Sequence, residues 1–185
     1  MYVGYAVIEK KLGSINPDDM IIGFFDEAAP QTTANTARLW SFRKPVIIRN
    51  TTKFRANTFG FYTFNSRGAV STYRNSKQES VMDFLREIRY RNPFNHILMI
   101  LDNFPAHRTA NVAMTAEILD IELIFLPPYS PQLNPIEEIW KSIKKVVSRT
   151  FMVSQEMMID TVKTNFIAFS KSKSFCKSWI ETFVN

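Results

Sequence analysis

The sequence predicts an α/β fold, a mixed sheet flanked by helices, on three observations. Two short apolar runs, Met20–Phe25 and Ile97–Leu101, each end on an acid, Asp26 and Asp102. Runs of this kind are buried strands, and catalytic and ligand-binding groups gather at the C-terminal edge of strands in open α/β sheets. From Ile97 to Leu126 the pattern runs strand, helix, strand, which is a right-handed crossover between parallel strands.

Taken in order, residues 1–13 are mixed, with an apolar stretch at Tyr5–Ile8 that is assigned to no element. Asn16-Pro17-Asp18-Asp19 is a turn, and Met20–Phe25 is the first strand. Pro45–Arg49 and Phe54–Phe64, rich in β-branched and aromatic residues, are expected as antiparallel strands. Asn65-Ser66-Arg67-Gly68 makes a hairpin turn and Ala69–Tyr73 the return strand. Ser80–Arg91 is helical, with Val81, Phe84, Leu85 and Ile88 at i, i+3, i+4 and i+7. Arg86, Arg89 and Arg91 lie mostly off that stripe, as a solvated face rather than a DNA contact, and Asn92-Pro93 ends the helix. Pro105 suits a helix N-terminus; the helix is expected to run to about Leu119 with Val112, Ala116 and Leu119 inward, followed by a strand at Ile121–Leu126.

A proline-rich loop, Leu126-Pro-Pro-Tyr-Ser-Pro-Gln-Leu-Asn-Pro135, then feeds a helix. Asn134 is placed as its N-cap and Pro135 at the first helical position, and Ile136, Ile139, Trp140, Ile143 and Val147 form its buried stripe. Residues 154–169 and 173–184 are two more helices, in which Phe175, Trp179 and Phe183 serve packing rather than base stacking.

No linker, repeat or low-complexity stretch divides the chain, so residues 1–185 are expected as one domain, with a core over about 20–150 and C-terminal helices beyond it. Lys plus Arg number 23 against 17 acids, a formal charge of +6, which favours a polyanionic partner such as nucleic acid. Cys176 is the single cysteine, so no intrachain disulfide can form. With two histidines, His96 and His107, no zinc cluster can be assembled. A signal peptide's pattern and an apolar run of membrane-spanning length are both missing, and the expected location is the cytoplasm, with no membrane partner.

The chemistry points to carboxylates. The fold should bring Asp102 together with an acid from the first turn of the helix after the proline-rich loop, and a hard-oxygen donor pair suits Mg²⁺ or Mn²⁺. On local sequence alone Asp26 reads first as a turn-initiating aspartate at a strand end, and Glu137 as a capping-box glutamate returning to the Asn134 amide; the presence of the other acids and the flanking motif reverse both. Glu138 is a helix-dipole acid paired with Lys141 or Lys145. Lys141 and Lys144 share Glu137's face, either beside a passing phosphate backbone or as a solvated surface.

Asp102-Asn-Phe-Pro-Ala-His107, followed by Leu126-Pro-Pro-Tyr-Ser-Pro-Gln-Leu-Asn-Pro-Ile-Glu137-Glu-Ile-Trp140, resembles the catalytic core of insertion-sequence transposases of the mariner superfamily, a group of DDE transposases with an RNase H-like (retroviral-integrase-like) fold. The family's second and third acids are typically separated by 34 residues, and the same number lies between Asp102 and Glu137, which selects Glu137 over Glu138. The resemblance covers roughly residues 20–150; it departs at Ser41-Phe-Arg-Lys-Pro45 after Trp40, where the family often has a glycine. It implies Asp26, Asp102 and Glu137 as catalytic, metal-binding acids holding two Mg²⁺ or Mn²⁺ ions, cleavage at transposon ends to a 3′-hydroxyl, and attack of that hydroxyl on target DNA, generally at a TA dinucleotide. It implies His107 as a group that orients DNA or a neighbouring side chain, with helix capping as the alternative. The implied partners are transposon-end and target DNA, a second copy in a homodimer, and a separate helix-turn-helix subunit, because the expectation is that no N-terminal helix-turn-helix region precedes Asp26. A catalytically silent DNA-binding remnant and an RNase H-like nuclease are the rival readings. All three acids standing at matching positions argue against the first, and the proline-rich loop argues against the second.

Overall fold

The computed structural model describes residue 8, residues 20–33, residues 42 and 48, and residues 50–128 and 130–184. The turn expected at Asn16–Asp19, the segment around Trp40 and the strand expected at 45–49, apart from Ile48, lie outside the described residues.

Five strands form one mixed sheet: β1 (Met20–Ala28), β2 (Thr58–Thr63), β3 (Ala69–Thr72), β4 (His96–Leu101) and β5 (Ile121–Phe125), in the order β3-β2-β1-β4-β5. The β1–β2 and β2–β3 pairs are antiparallel. The β1–β4 and β4–β5 pairs are parallel, as the crossover rule requires. Among the described residues, five helices cover it: α1 (Gln78–Arg91), α2 (Ala110–Ile118), α3 (Ile136–Arg149), α4 (Gln155–Ser170) and α5 (Lys177–Phe183).

The period of two along β1 sorts its side chains between two cores. Met20, Ile22 and Phe24 pack with α3, α4 and α5, where Trp140, Ile143, Phe166 and Trp179 lie. Ile21 and Phe25 face the opposite side, against Phe84 and Ile88 of α1 and Val112 of α2. The ring of Trp179 stands edge-on to Phe24 at 4.8 Å. Gly60, paired with Asp26 across β1–β2, leaves room for the second layer: a Cβ there would stand 2.6 Å from Phe166 and 2.7 Å from Trp140. Its lack of a side chain lets α3 and α4 approach the strand beside Asp26.

Several boundaries differ from expectation. The strand expected at Phe54–Phe64 is confined to Thr58–Thr63; upstream, Arg55 makes one bridge to Gln31. The helix expected from Pro105 to Leu119 is two pieces, a 3₁₀ turn at Pro105–Arg108 and then α2. Thr109 breaks it in an extended conformation, its hydroxyl accepting from the Val112 amide as a fresh N-cap. The last helix is divided likewise, into a 3₁₀ turn at Lys173–Cys176 and α5. The helix expected at Ser80–Arg91 begins two residues earlier. Its arginines are structural: Arg86 pairs with Asp83 and Arg91 with Glu87. Arg89 donates to the carbonyls of Leu119, Asn92, Asn95 and Asp120, tying α1 to the turn before β5.

Candidate active site

Asp26 lies near the C-terminal end of β1, and Asp102 is the first residue beyond β4. Because β1 and β4 are adjacent and parallel, their carboxylates leave the sheet at the same edge. Alternation places Asp26 on the α3 side, with Ile22 and Phe24, and turns Glu27 to the α1–α2 side, with Phe25. Glu137 comes from the first turn of α3. All three acids line one cleft of ≈ 510 Å³, whose other wall is the proline-rich loop with Leu126, Pro127, Pro128 and Pro131.

Two asparagines fasten the cleft. Asn134 does not cap α3: Pro135 stands at that position without a side-chain cap bond, and the Asn134 amide instead donates to the Phe25 carbonyl at 3.2 Å. That bond ties the start of α3 to β1 one residue before Asp26, so the distance between Glu137 and Asp26 is set by a cross-link rather than by a capping box. Asn103 donates to the Leu126 carbonyl at 2.8 Å and ties the segment after β4 to the start of the proline-rich loop. In both, the side-chain Oδ1 is buried without a hydrogen-bond partner among the described residues.

His107, on the 3₁₀ turn, is 1% exposed. Its Nε2 is 3.2 Å from Glu27 Oε1, and its Nδ1 is 2.9 Å from Asp102 Oδ1, with the N–H not aimed squarely at the oxygen. The ring stands edge-on to Phe25 at 5.0 Å and Phe104 at 5.5 Å. A side chain so enclosed cannot lie against a polynucleotide, so the expectation of DNA contact by His107 is corrected: it touches two carboxylates instead. Burial by itself lowers the imidazole's affinity for a proton. The hydrogen bonds and charges of Asp102 and Glu27 outweigh that and push His107 up to about 9, so it stands as an imidazolium at neutral pH. Burial raises the Asp102 carboxyl, but His107 and the Phe104 amide, which donates to Oδ1 at 3.1 Å, outweigh it and hold the group below the usual range.

Asp26 goes the other way. Burial, then the negative charge of Glu137, with smaller contributions from Asp102 and Glu27, push its carboxyl up to about 8. No three His, Cys, Asp or Glu side chains among the described residues are drawn in tightly enough to enclose an ion. The donor set nevertheless fits a hard divalent cation. Three carboxylates, hard-oxygen donors, line one cleft, and their mutual repulsion is what a cation between them would relieve.

Of the two lysines on Glu137's face, Lys141 pairs with Glu138, the partner expected for that acid, while Lys144 is exposed. Glu138, at 56% exposure, does not line the cleft. Sequence reasoning missed the linking role of Glu27, of Asn103 and of the Asn134 side chain. The only available signal was their adjacency to Asp26, Asp102 and the proline-rich loop.

Comparison with known proteins agrees with this architecture. Residues 22–159 match the family model described as DDE superfamily endonuclease. Over 67 residues, 36% of this chain and 47% of the relative, the sequence is 36% identical to the uncharacterized protein y4pE/y4sA of Sinorhizobium fredii. The fold resembles that of the mariner Mos1 paired-end complex with Mg, with a TM-score of 0.69 at 16% identity, covering 97% of this chain and 59% of that one. The catalytic domain of Mos1 mariner transposase matches with a TM-score of 0.61 at 15% identity over 98% of this chain and 90% of that one. Among the described residues no helix is long and apolar enough to cross a membrane. With three-quarters of its length inside the family model, the chain belongs to the DDE superfamily endonucleases.

Proposed function

We propose that this chain is the catalytic domain of a DNA transposase, cleaving at transposon ends and joining the freed 3′ end to target DNA. The observation that carries the reading is the convergence of Asp26, Asp102 and Glu137 on one cleft at the sheet edge, from two adjacent parallel strands and the first turn of α3. In this reading the three acids hold two Mg²⁺ or Mn²⁺ ions. A divalent ion there supplies charge relief at phosphorus and a nucleophile of lowered pKa.

The chain's own residues do the rest. Asp102 is kept ionised by His107, and His107 is a positioning residue that holds Asp102 and Glu27 at fixed separation, by donating from Nε2 to Glu27 and by the ion pair of its Nδ1 side with Asp102. Asn134 sets how far Glu137 stands from Asp26. Lys144, exposed two turns along α3, meets the phosphate backbone, and Lys141 does so only by leaving Glu138. The proline-rich wall excludes water from one side of the cleft. The matched Mos1 assembly is a paired-end complex; by analogy this chain acts as a homodimer on DNA ends in the bacterial cytoplasm, with end-reading supplied by a helix-turn-helix unit. The test is Mn²⁺-dependent nicking of supercoiled plasmid by wild type beside Glu137→Gln. Nicking by wild type alone is expected, and equal nicking by both would overturn the mechanism.

A further inference from the structure

A second cavity opens on the same edge of the sheet as the acids. Ala28 of β1 pairs with Thr58 of β2, and Thr58 pairs with Thr72 of β3, so one rung crosses three strands two residues beyond Asp26. At about 4.8 Å per strand, Thr72 lies about 10 Å from the end of β1. Past this rung the Tyr73 amide donates to the Asn57 carbonyl, keeping segments 55–57 and 73–75 side by side. They enclose a pocket of ≈ 430 Å³ with Arg55, Arg74, Asn57, Thr72, Ser76 and Gln155 on its wall and no carboxylate.

Two features of this pocket ask for an anion. Neither the Arg55 nor the Arg74 guanidinium has an ion-pair or hydrogen-bond partner among the described residues, although both are exposed. Asn57 Nδ2, a donor, and Thr72 Oγ1, donor or acceptor, are buried at the same wall without partners, whereas buried polar atoms are ordinarily satisfied. The Asn57 Oδ1 is already taken by Ser76, so the amide is oriented with its donor free. The first turn of α4 begins at this pocket with Gln155, adding the positive end of a 16-residue helix.

We propose that this pocket holds a backbone phosphate of the DNA strand that reaches the acid cleft, gripped by Arg55 and Arg74 and by the Asn57 and Thr72 side chains. This rests on the proposed DNA reaction and assigns a subsite to it. Two guanidiniums give a phosphate a charged, forked set of donors, and the contact fixes the strand's register without reading its sequence.

The test is binding of a fluorescein-labelled 30-base-pair duplex by anisotropy over a salt series, without metal. The proteins are wild type, Arg55→Gln/Arg74→Gln, and Lys171→Gln/Lys173→Gln as a charge-matched control at the far end of α4. The arginine pair is expected to lose about 10-fold or more in affinity and about 1 from the salt slope, with the control near wild type. Thr72→Val, which keeps the side-chain shape, is expected to weaken binding while leaving the melting temperature unchanged or higher, which a purely structural hydroxyl would not do. Competition separates the sources of phosphate: the duplex should displace where millimolar inorganic phosphate does not. Equal losses in the arginine and lysine variants, or none in either, overturn the proposal. Plasmid nicking is scored separately: a nicking enzyme with unaltered binding in the arginine variant loses only this subsite, and a silent chain with arginine-dependent binding loses only the transposase reading.

Discussion

Asp26→Asn should stabilise the metal-free protein while removing its activity. The folded-state carboxyl is raised from 3.8 to about 8, so between those values the unfolded chain has released a proton that the native protein still holds. Stability therefore falls as pH rises across the interval, at ~1.4 kcal/mol per pH unit. At pH 7 the accumulated cost is ~4 kcal/mol, an upper figure because water at the open cleft screens the charges. Asparagine has the shape of the neutral acid and no proton to lose, so a gain of about 2–4 kcal/mol is expected at pH 7, or roughly 5–15 °C in melting temperature for a domain this size. Urea unfolding in EDTA at pH 7 and pH 4 measures it. The gain should shrink to about 0.6 kcal/mol at pH 4, where the native carboxyl is protonated and the unfolded one, with its value of 3.8, has released only part of its proton. Saturating Mg²⁺ should narrow the gap, because only wild type gains the stabilisation that follows from binding. An equal gain at both pH values would place its origin in packing, and a loss at pH 7 would show that the three acids do not repel one another as described.

Asp102→Asn should abolish Mn²⁺-dependent plasmid nicking with an unchanged circular dichroism spectrum, and retained nicking would remove Asp102 from the mechanism. Glu137→Gln should lose nicking where Glu138→Gln keeps it, because the exposed Glu138–Lys141 pair contributes about 1 kcal/mol or less; the reverse order would assign the site to the wrong glutamate. His107→Ala should destabilise by about 3–5 kcal/mol, leaving two carboxylates facing a void. His107→Gln, which keeps a donor, should fold but bind Mn²⁺ about 10–100-fold more weakly; unchanged Mn²⁺ affinity would make the histidine purely structural. Gly60→Ala should cost about 1–3 kcal/mol through the collision with Trp140 and Phe166, read as a lower urea midpoint, and a neutral result would mean that α3 can shift without harm. Cys176, buried and with its thiol pushed up by that burial, should resist alkylation at pH 8 until the protein is unfolded, and rapid labelling of the native protein would contradict its enclosure.

Some of this was legible in the sequence because it is one-dimensional. Apolar runs ending in Asp26 and Asp102 give strands that deliver acids at one edge, since a parallel crossover has a fixed hand. The Ile136, Ile139, Trp140, Ile143, Val147 stripe is buried as its period requires, and Val81, Phe84, Leu85 and Ile88 likewise. Helix ends were less legible: Thr109 interrupts what periodicity joins, because a side-chain cap bond competes locally with helix continuation.

What the tertiary structure alone decided are pairings between residues far apart in the chain. Asn134 looks like a cap in sequence and is a cross-link to Phe25 in space: its Nδ2 donates to a buried strand carbonyl, and its Oδ1 caps no helix amide. In sequence His107 reads as a group that orients DNA or a neighbouring side chain, or as a helix cap; in space it is enclosed between Asp102 and Glu27, the latter 80 residues away in the chain. Arg55 and Arg74 carry no motif at all, and only the antiparallel register of β2 and β3 brings them to one pocket. Sequence patterns record which face a side chain takes; which charge it meets there depends on how the strands are ordered in the sheet, and that order is set by the packing of all the elements at once.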